Sequence, residues 1–348
     1  MSPRTSPNPE QIKSIVVRLT NWVGDSVMNT PFLTEARALF PNAKITALGR
    51  KHVADLLLHH PAVDSVYVID DKSKNGKSEV VSYLKEMKPD LGFALPNSLG
   101  SAYMLWRGGV KHRVGYNRDA RRIFLTIPVV LRPRDLAVHE VRYYLRLLSP
   151  WGVSTTNPPP ISLNVLENEK DSMKHWLLQR GWQEDQPIIG VNPAAFFGTA
   201  KRWFPERYAE SAEALAAKLD ALVVVTGLPT ERDWAQRVVS HGGSRFYNAA
   251  GEMKLRELMA FLTFCRLYLT NDSGAMHLAA ALNTPLVAVF GSTDWVTTAP
   301  TNANSIIVRE QTACAPCLLR DCPIDHRCMT AVTVKRVVES AGKLLGCT

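Results

Sequence analysis

Short apolar runs alternate with helical stretches in two rounds, separated by Asn157-Pro158-Pro159-Pro160, and this constrains the chain more than any other feature. In the first round, residues 12–19, 43–48, 63–69 and 90–95 read as strands, with helical spacing over 27–40, 52–60 and 78–88. In the second, strands are expected at 187–192, 221–226, 267–270 and 285–290, and helices at 205–219, 230–240, 255–265 and 274–282. Such alternation implies α/β architecture, with parallel sheets covered by helices on both faces. At 348 residues the chain exceeds what one hydrophobic core usually holds. Two Rossmann-like domains are therefore expected, 1–155 and 156–331, joined by a linker near 149–161. A C-terminal helix within 332–348 is amphipathic and could pack back on either domain, the N-terminal one included. Ligands of doubly wound sheets bind beyond the strand carboxyl ends. Functional residues should thus sit in strand-to-helix turns, and the two sheets should face a central cleft.

The most informative of those turns is Thr270-Asn271-Asp272-Ser273-Gly274-Ala275-Met276-His277, between the apolar Leu267-Tyr268-Leu269 and the helical Leu278-Ala279-Ala280-Ala281-Leu282. Asp272 or Ser273 can cap the helix. Its first backbone N–H groups then lie unpaired at the positive end of the macrodipole, which suits phosphate. His277 follows Ser273 by one helical turn and shares its face. Taken by itself, such a start is also what an ordinary cap looks like.

Three more turns carry candidate chemistry. Asn21-Trp22-Val23-Gly24-Asp25-Ser26 follows the first strand, and Asp25 reads either as an N-cap or as a general base. Around Gly198-Thr199-Ala200-Lys201-Arg202-Trp203, small residues permit close backbone approach, and Lys201 and Arg202 offer donors for phosphate oxygens. In Thr226-Gly227-Leu228-Pro229-Thr230-Glu231, Glu231 could accept from a ribose or serve only as a first-turn charge.

Charge is unevenly divided. Residues 1–160 hold 22 Lys/Arg against 13 Asp/Glu, whereas 161–348 hold 19 of each, so the first half carries the whole +9. The excess is densest at Arg107, Lys111, Arg113, Arg118, Arg121, Arg122, Arg132 and Arg134, opposed by Asp119. Phosphorylated substrate, anionic membrane and nucleic acid would all suit a basic face, as would plain solvation. No nucleic-acid-binding signature is present, so nucleic acid is not an expected partner. No apolar run approaches the ~20 residues of a membrane span, and 1–11 do not resemble a signal peptide, which points to the cytoplasm.

Four of the six cysteines fall together as Cys314-Ala315-Pro316-Cys317, then Cys322 and Cys328. They could surround a structural zinc or iron, remain reduced in a packed loop, or form disulfides. Cys265, Trp203 and Phe264 read as core.

In order and spacing, Val23-Gly24-Asp25, Gly198-Thr199-Ala200-Lys201-Arg202-Trp203, Gly251-Glu252-Met253 and Thr270–His277 resemble the family-9 glycosyltransferases, the bacterial heptosyltransferases of the lipopolysaccharide inner core. The Ala-Lys-Arg-Trp form is most similar to the branch that adds a second heptose to the first. This resemblance implies the GT-B type, with acceptor on the first domain and nucleotide sugar on the second. It implies an ADP-heptose donor, inversion at the anomeric carbon, a lipid A–Kdo–heptose acceptor, and peripheral contact with the cytoplasmic face of the inner membrane. By resemblance Asp25 is the base and Lys201 holds the donor phosphates beside Thr199 and Arg202. Glu231 would bind ribose, Met253 would line the adenine pocket, and Asp272, Ser273, Gly274 and His277 would form the donor-binding helix start. Arg113, Arg118, Arg121 and Arg122 are expected near the acceptor. No Asp-x-Asp occurs, so departure of the diphosphate is expected without a catalytic metal or other cofactor. A transferase using another acceptor, such as protein, and a non-catalytic sugar-nucleotide-binding protein are the alternatives.

Overall fold

The computed structural model describes residues 6–346 apart from 71, 72, 74 and 136; Met1–Thr5 of the polar start lie outside the described residues, as does Cys347. Two compact units divide the chain, Met1–Asn164 and Val165–Thr348. The division falls later than the expected boundary near 155 because the chain stays bound to the first unit past the prolines. Ile161 is buried, Ser162 N–H donates to Thr30 Oγ1 (3.2 Å) and Asn164 Nδ2 donates to the His59 carbonyl (3.3 Å).

The first unit contains β1 (Ser14–Arg18), β2 (Lys44–Gly49), β3 (Ser65–Val68), β4 (Leu91–Ala94), β5 (His112–Tyr116) and β6 (Ile127–Val129). They form one parallel sheet in the order β3-β2-β1-β4-β5-β6. The second unit contains β7 (Ile188–Asn192), β8 (Leu222–Val225), β9 (Phe246–Asn248), β10 (Cys265–Asn271), β11 (Leu286–Val289) and β12 (Ser305–Val308). Their parallel sheet runs β12-β11-β10-β7-β8-β9, which counted within the unit is the same order. Each unit is thus a Rossmann-like α/β sheet, and together they give the chain the GT-B type. The strand order reverses between β1 and β4 in one unit and between β7 and β10 in the other. Those two switch points leave crevices at the strand carboxyl ends.

Central strands are buried on both faces, as parallel sheets require: every residue of β4, β7 and β11 is inaccessible to solvent or nearly so. Val16, Leu48 and Ala94 pack with Val80, Leu84 and Leu105 in the first unit. In the second, Ile189, Val191, Leu267, Leu269, Val287 and Val289 pack with Trp203 and Tyr208. The C-terminal helix, Val334–Leu345, belongs to the second unit: Val337, Ala341 and Leu345 join that core, and the helix lies on the helix Pro205–Leu219 and on β11 and β12. Packing back on the N-terminal domain is therefore corrected. No helix among the described residues is long and apolar enough to cross a membrane.

Several elements differ from the sequence reading. The helix expected over 27–40 is two, Val23–Met28 and Thr30–Leu39, broken at Asn29 where Pro31 enters the first turn of the second. β5, β6, β9 and β12 were not expected. β5 mixes His112 and Arg113 with apolar residues, β6 contains Pro128, and β9 has only three residues, so none of these three presents a clear apolar run; β12 is apolar at Ile306, Ile307 and Val308 but only four residues long.

Candidate functional site

The turn after β1 is shaped by a buried polar network. Thr20 Oγ1 lies 2.9 Å from Ser26 Oγ and donates to Asn29 Oδ1 at 2.9 Å, while Leu19 N–H continues the β1–β2 ladder to the Leu48 carbonyl (2.9 Å). This ties the helix Val23–Met28 to the strand end and fixes Asp25 at the β1/β4 switch point. Trp22 occupies the N-cap position, so Asp25 is a residue of the first turn; its reading as the cap is corrected. That helix packs against the helix Glu140–Leu145. Burial, then the Asp25 charge, push the Glu140 carboxyl up to about 7, against a hydrogen bond from the Tyr144 side chain. Tyr144 is itself held well above the usual phenol range by burial and by the same two carboxylates. Asp25 therefore has a neighbouring carboxyl that sequence reading missed. Glu140 opens a helix directly after His139, a position that reads as an ordinary first-turn charge.

The four arginines expected at the acceptor separate. Arg121 is completely buried, and its guanidinium is consumed by the strand-end backbone: Nε donates to the Tyr116 carbonyl (2.8 Å), Nη1 to the Pro96 carbonyl and Nη2 to Asn97 Oδ1 (3.2 Å). Its acceptor role is corrected, because the side chain is buried and all three guanidinium nitrogens donate to protein. Arg113 is half-buried and ties the Phe124, Val110 and Lys111 carbonyls together. Arg118 and Arg122 are exposed, with Arg118 Nε 3.8 Å from Asp119 Oδ1.

In the second unit the candidate donor residues converge at the β7/β10 switch point. Asn271, at the end of β10, is buried and organises the turn. Its Oδ1 accepts from Trp203 N–H (2.9 Å) and the Tyr208 hydroxyl (2.9 Å), and its Nδ2 donates to the Pro193 carbonyl (2.9 Å). One amide thus fixes both turns that follow β7 and β10. Ser273 caps the helix Gly274–Ala281, accepting from Met276 N–H at 3.3 Å. Lys201 Nζ sits 2.7 Å from Asp272 Oδ2, with side chains 16% and 5% exposed, so a cation and an anion meet beside the helix start. His277 is buried on the same helix. Ser273 and Gly274 keep partial exposure, which leaves the first backbone N–H groups approachable.

Glu231 and Met253 belong to adjacent turns. The Glu231 carboxylate is buried and accepts from Leu228 N–H (2.8 Å), so it demonstrably closes its own turn. Gly251 stands in the left-handed region (φ +84°) against Pro229, where a side chain would be strained and crowded, and its N–H donates to the Gly227 carbonyl (2.9 Å). Met253 follows, half-buried. Arg202 points elsewhere: its guanidinium lies 5.5 Å over the Trp234 ring and donates to the Ala195 carbonyl (3.4 Å).

The cysteine segment supports this turn. Thr199 Oγ1 donates to Asp321 Oδ1 (2.7 Å), Ala200 N–H donates to the Arg320 carbonyl (3.0 Å), and a Cβ on Gly198 would collide with that carbonyl. The Thr199 hydrogen bonds hold the Asp321 carboxyl below the usual range. Cys265, Cys314, Cys317, Cys322 and Cys328 are free thiols. Among the described residues no three His, Cys, Asp or Glu side chains are arranged to hold a metal ion. The expected metal set Cys314, Cys317, Cys322 and Cys328 is not gathered into such a group among the described residues. Cys328 is drawn into the apolar core with Met329 and Val332, whereas Cys314 is exposed. Burial, then the other three thiols' charges, push the Cys328 thiol up.

Two Rossmann-like units, each with candidate residues at its switch point and one of them with a lysine–aspartate pair beside a capped helix start, are the plan of a glycosyltransferase of GT-B type. Residues 79–327 match the profile of glycosyltransferase family 9 (heptosyltransferase), and the chain belongs to that family. It is 27% identical over 336 residues to lipooligosaccharide heptosyltransferase 2 of Campylobacter jejuni, covering 95% of this chain and 98% of that protein. It is 28% identical to lipopolysaccharide heptosyltransferase 2 of Escherichia coli, again over 95% and 98%. The solved Escherichia coli ADP-heptose lipopolysaccharide heptosyltransferase II superposes with a TM-score of 0.82 over 95% of this chain and 98% of that one. A family-9 glycosyltransferase of Veillonella parvula, 23% identical, shares the fold with a TM-score of 0.86 over 99% and 100%.

Proposed function

We propose that this glycosyltransferase moves heptose from ADP-heptose to the lipopolysaccharide inner core, adding the second heptose to the first, with inversion and without a metal. The observation that carries the reading is the Lys201–Asp272 pair beside the capped helix start at Ser273, in a chain aligned almost end to end with heptosyltransferases 2. The first unit is the acceptor side and the second the donor side.

In this reading Asp25 accepts the proton of the acceptor hydroxyl as its oxygen attacks the anomeric carbon. The bond from that carbon to the diphosphate oxygen breaks, and ADP departs with the electron pair. Charge develops on the diphosphate, and Lys201 together with the N–H groups of Gly274 and its successors stabilises it. Asp272 positions the Lys201 ammonium before the donor arrives. The chain has no Asp-x-Asp, so the cationic side chain and helix start take the place of a bridging cation. Met253 and the Gly227 and Gly251 turns take the adenine, and Glu231 reaches the ribose with the oxygen its turn leaves over. Exposed Arg118 and Arg122 meet the acceptor's carboxylates and phosphates. Because such an acceptor is anchored in lipid, the protein works in peripheral contact with the cytoplasmic face of the inner membrane.

The test is ADP release from ADP-heptose, with EDTA present, on acceptors truncated after zero, one or two heptoses. Turnover on the one-heptose acceptor alone is expected. Turnover on the heptose-free acceptor alone would reassign the step, dependence on added cation would remove the metal-free mechanism, and donor binding without turnover would favour a protein acceptor or a binding role.

A further inference from the structure

The helix Leu99–Arg107 turns an apolar face outward. Leu99, Tyr103 and Trp106 recur at helical spacing and are 46%, 44% and 45% exposed, where a helix packed on a sheet would normally present polar residues. The adjacent turn adds Ile123, 78% exposed, and Phe124. The rings of Tyr103, Trp106 and Phe124 lie within 5.3–5.7 Å of one another as one aromatic cluster. Isolated exposed apolar residues need no explanation, but a contiguous aromatic patch of this kind marks a contact surface.

The charge around it selects the partner. Between residues 91 and 134 the chain holds eight Lys/Arg and one acid, Asp119. Arg107 follows Trp106 directly, Arg122 precedes Ile123 directly, and both are exposed, as is Lys111. Amphipathic aromatic rings with exposed cations next to them in the chain match the interface of an anionic bilayer, where Trp and Tyr settle at headgroup depth and Lys and Arg meet lipid phosphates. A protein partner of equal apolar area would not call for so one-sided a charge.

We propose that the face formed by Leu99, Tyr103, Trp106 and Ile123, flanked by Arg107 and Lys111, seats the protein on a bilayer surface carrying anionic headgroups. This deepens the proposed function, resting on its lipid-linked acceptor, and places the membrane contact on the acceptor-side unit.

The experiment is flotation of the whole protein with vesicles of phosphatidylcholine mixed with phosphatidylglycerol, against phosphatidylcholine alone. It is run beside ADP release on a deacylated, water-soluble acceptor. The unmodified protein floats with the mixed vesicles, and added salt weakens this. Trp106→Ser lowers the apparent affinity about tenfold, the value of one large apolar side chain, and each of Arg107→Gln and Lys111→Gln lowers it about fivefold. Ile123→Ser, at a side chain mostly in solvent, lowers it without risk to the fold. Turnover on the soluble acceptor stays unchanged in all four. Equal flotation of variants and parent, equal binding to neutral vesicles, or a solution dimer that Trp106→Ser dissolves would each overturn the assignment. Vesicle binding with no ADP release would sink the proposed function and leave this face standing.

Discussion

Replacement of Glu140 by Gln tests the paired carboxyls of the first unit most directly. In the folded chain the Glu140 carboxyl titrates near 7 rather than at its ordinary 4.5, because burial and the Asp25 charge oppose its ionisation. Since the folded value lies above the unfolded one, the folded state binds the proton more tightly. The associated stability is fully present below about pH 4.5 and is lost as pH rises through about 7. At about 1.4 kcal/mol per pH unit, the loss amounts to about 3 kcal/mol. Gln keeps the shape and an oxygen for the Tyr144 hydroxyl, but does not titrate. The variant should therefore gain about 3 kcal/mol relative to the parent between about pH 5 and pH 8, with most of the gain between about 5 and 7. Urea transitions read by hydrogen exchange in peptides covering 23–28 and 140–145 report the first unit separately from the second. If Asp25 is the base, the parent's rate profile should show an inflection near 7 that the Glu140→Gln profile lacks. Superimposable pH dependences of parent and variant would refute the reasoning, since no carboxyl with a raised affinity for protons would then lie beside Asp25.

Two further outcomes follow from named contacts. Lys201→Ala should weaken ADP binding about ten- to a hundredfold, the worth of a charge-assisted hydrogen bond; Asp272→Asn, which leaves the mostly buried Lys201 cation without its anion, should destabilise the second unit by about 3 kcal/mol. Calorimetric ADP titration and urea unfolding read these, and an unchanged ADP affinity in Lys201→Ala would exclude it from the diphosphate. Arg121→Ala should cost about 3–5 kcal/mol by leaving buried carbonyls unsatisfied, whereas Arg122→Ala should stay within about 0.5 kcal/mol of the parent while slowing acceptor turnover. Equal stability of the two variants, in the same unfolding measurement, would return Arg121 to the surface.

The turn at Ser273 was legible from residue order because its parts are local. A cap such as Ser273, the helix it opens and the strand before it lie within one short stretch, and backbone geometry alone brings them together. The same holds for the helix Pro205–Leu219, whose Pro start and apolar spacing matched the expected bounds. Strands such as β5 and β6 stayed hidden because only their pairing in the sheet, β5 between β4 and β6 and β6 at the edge, makes a basic or proline-containing stretch extended.

By itself, the sequence determined two rounds of parallel α/β alternation, the helix start at Ser273, and Lys201 and Asp25 as charges set in strand-to-helix turns. Tertiary structure alone decided which charges are available for chemistry. Arg121 and Arg122 are neighbours of the same type, yet one is locked into strand-end carbonyls and the other faces solvent. Glu140 and Asp25 are far apart in the chain, yet they share one helix contact. Pairing and burial depend on residues distant in sequence, and the cost of removing a charge from water is set by all of them at once. No local pattern of residue types carries that information.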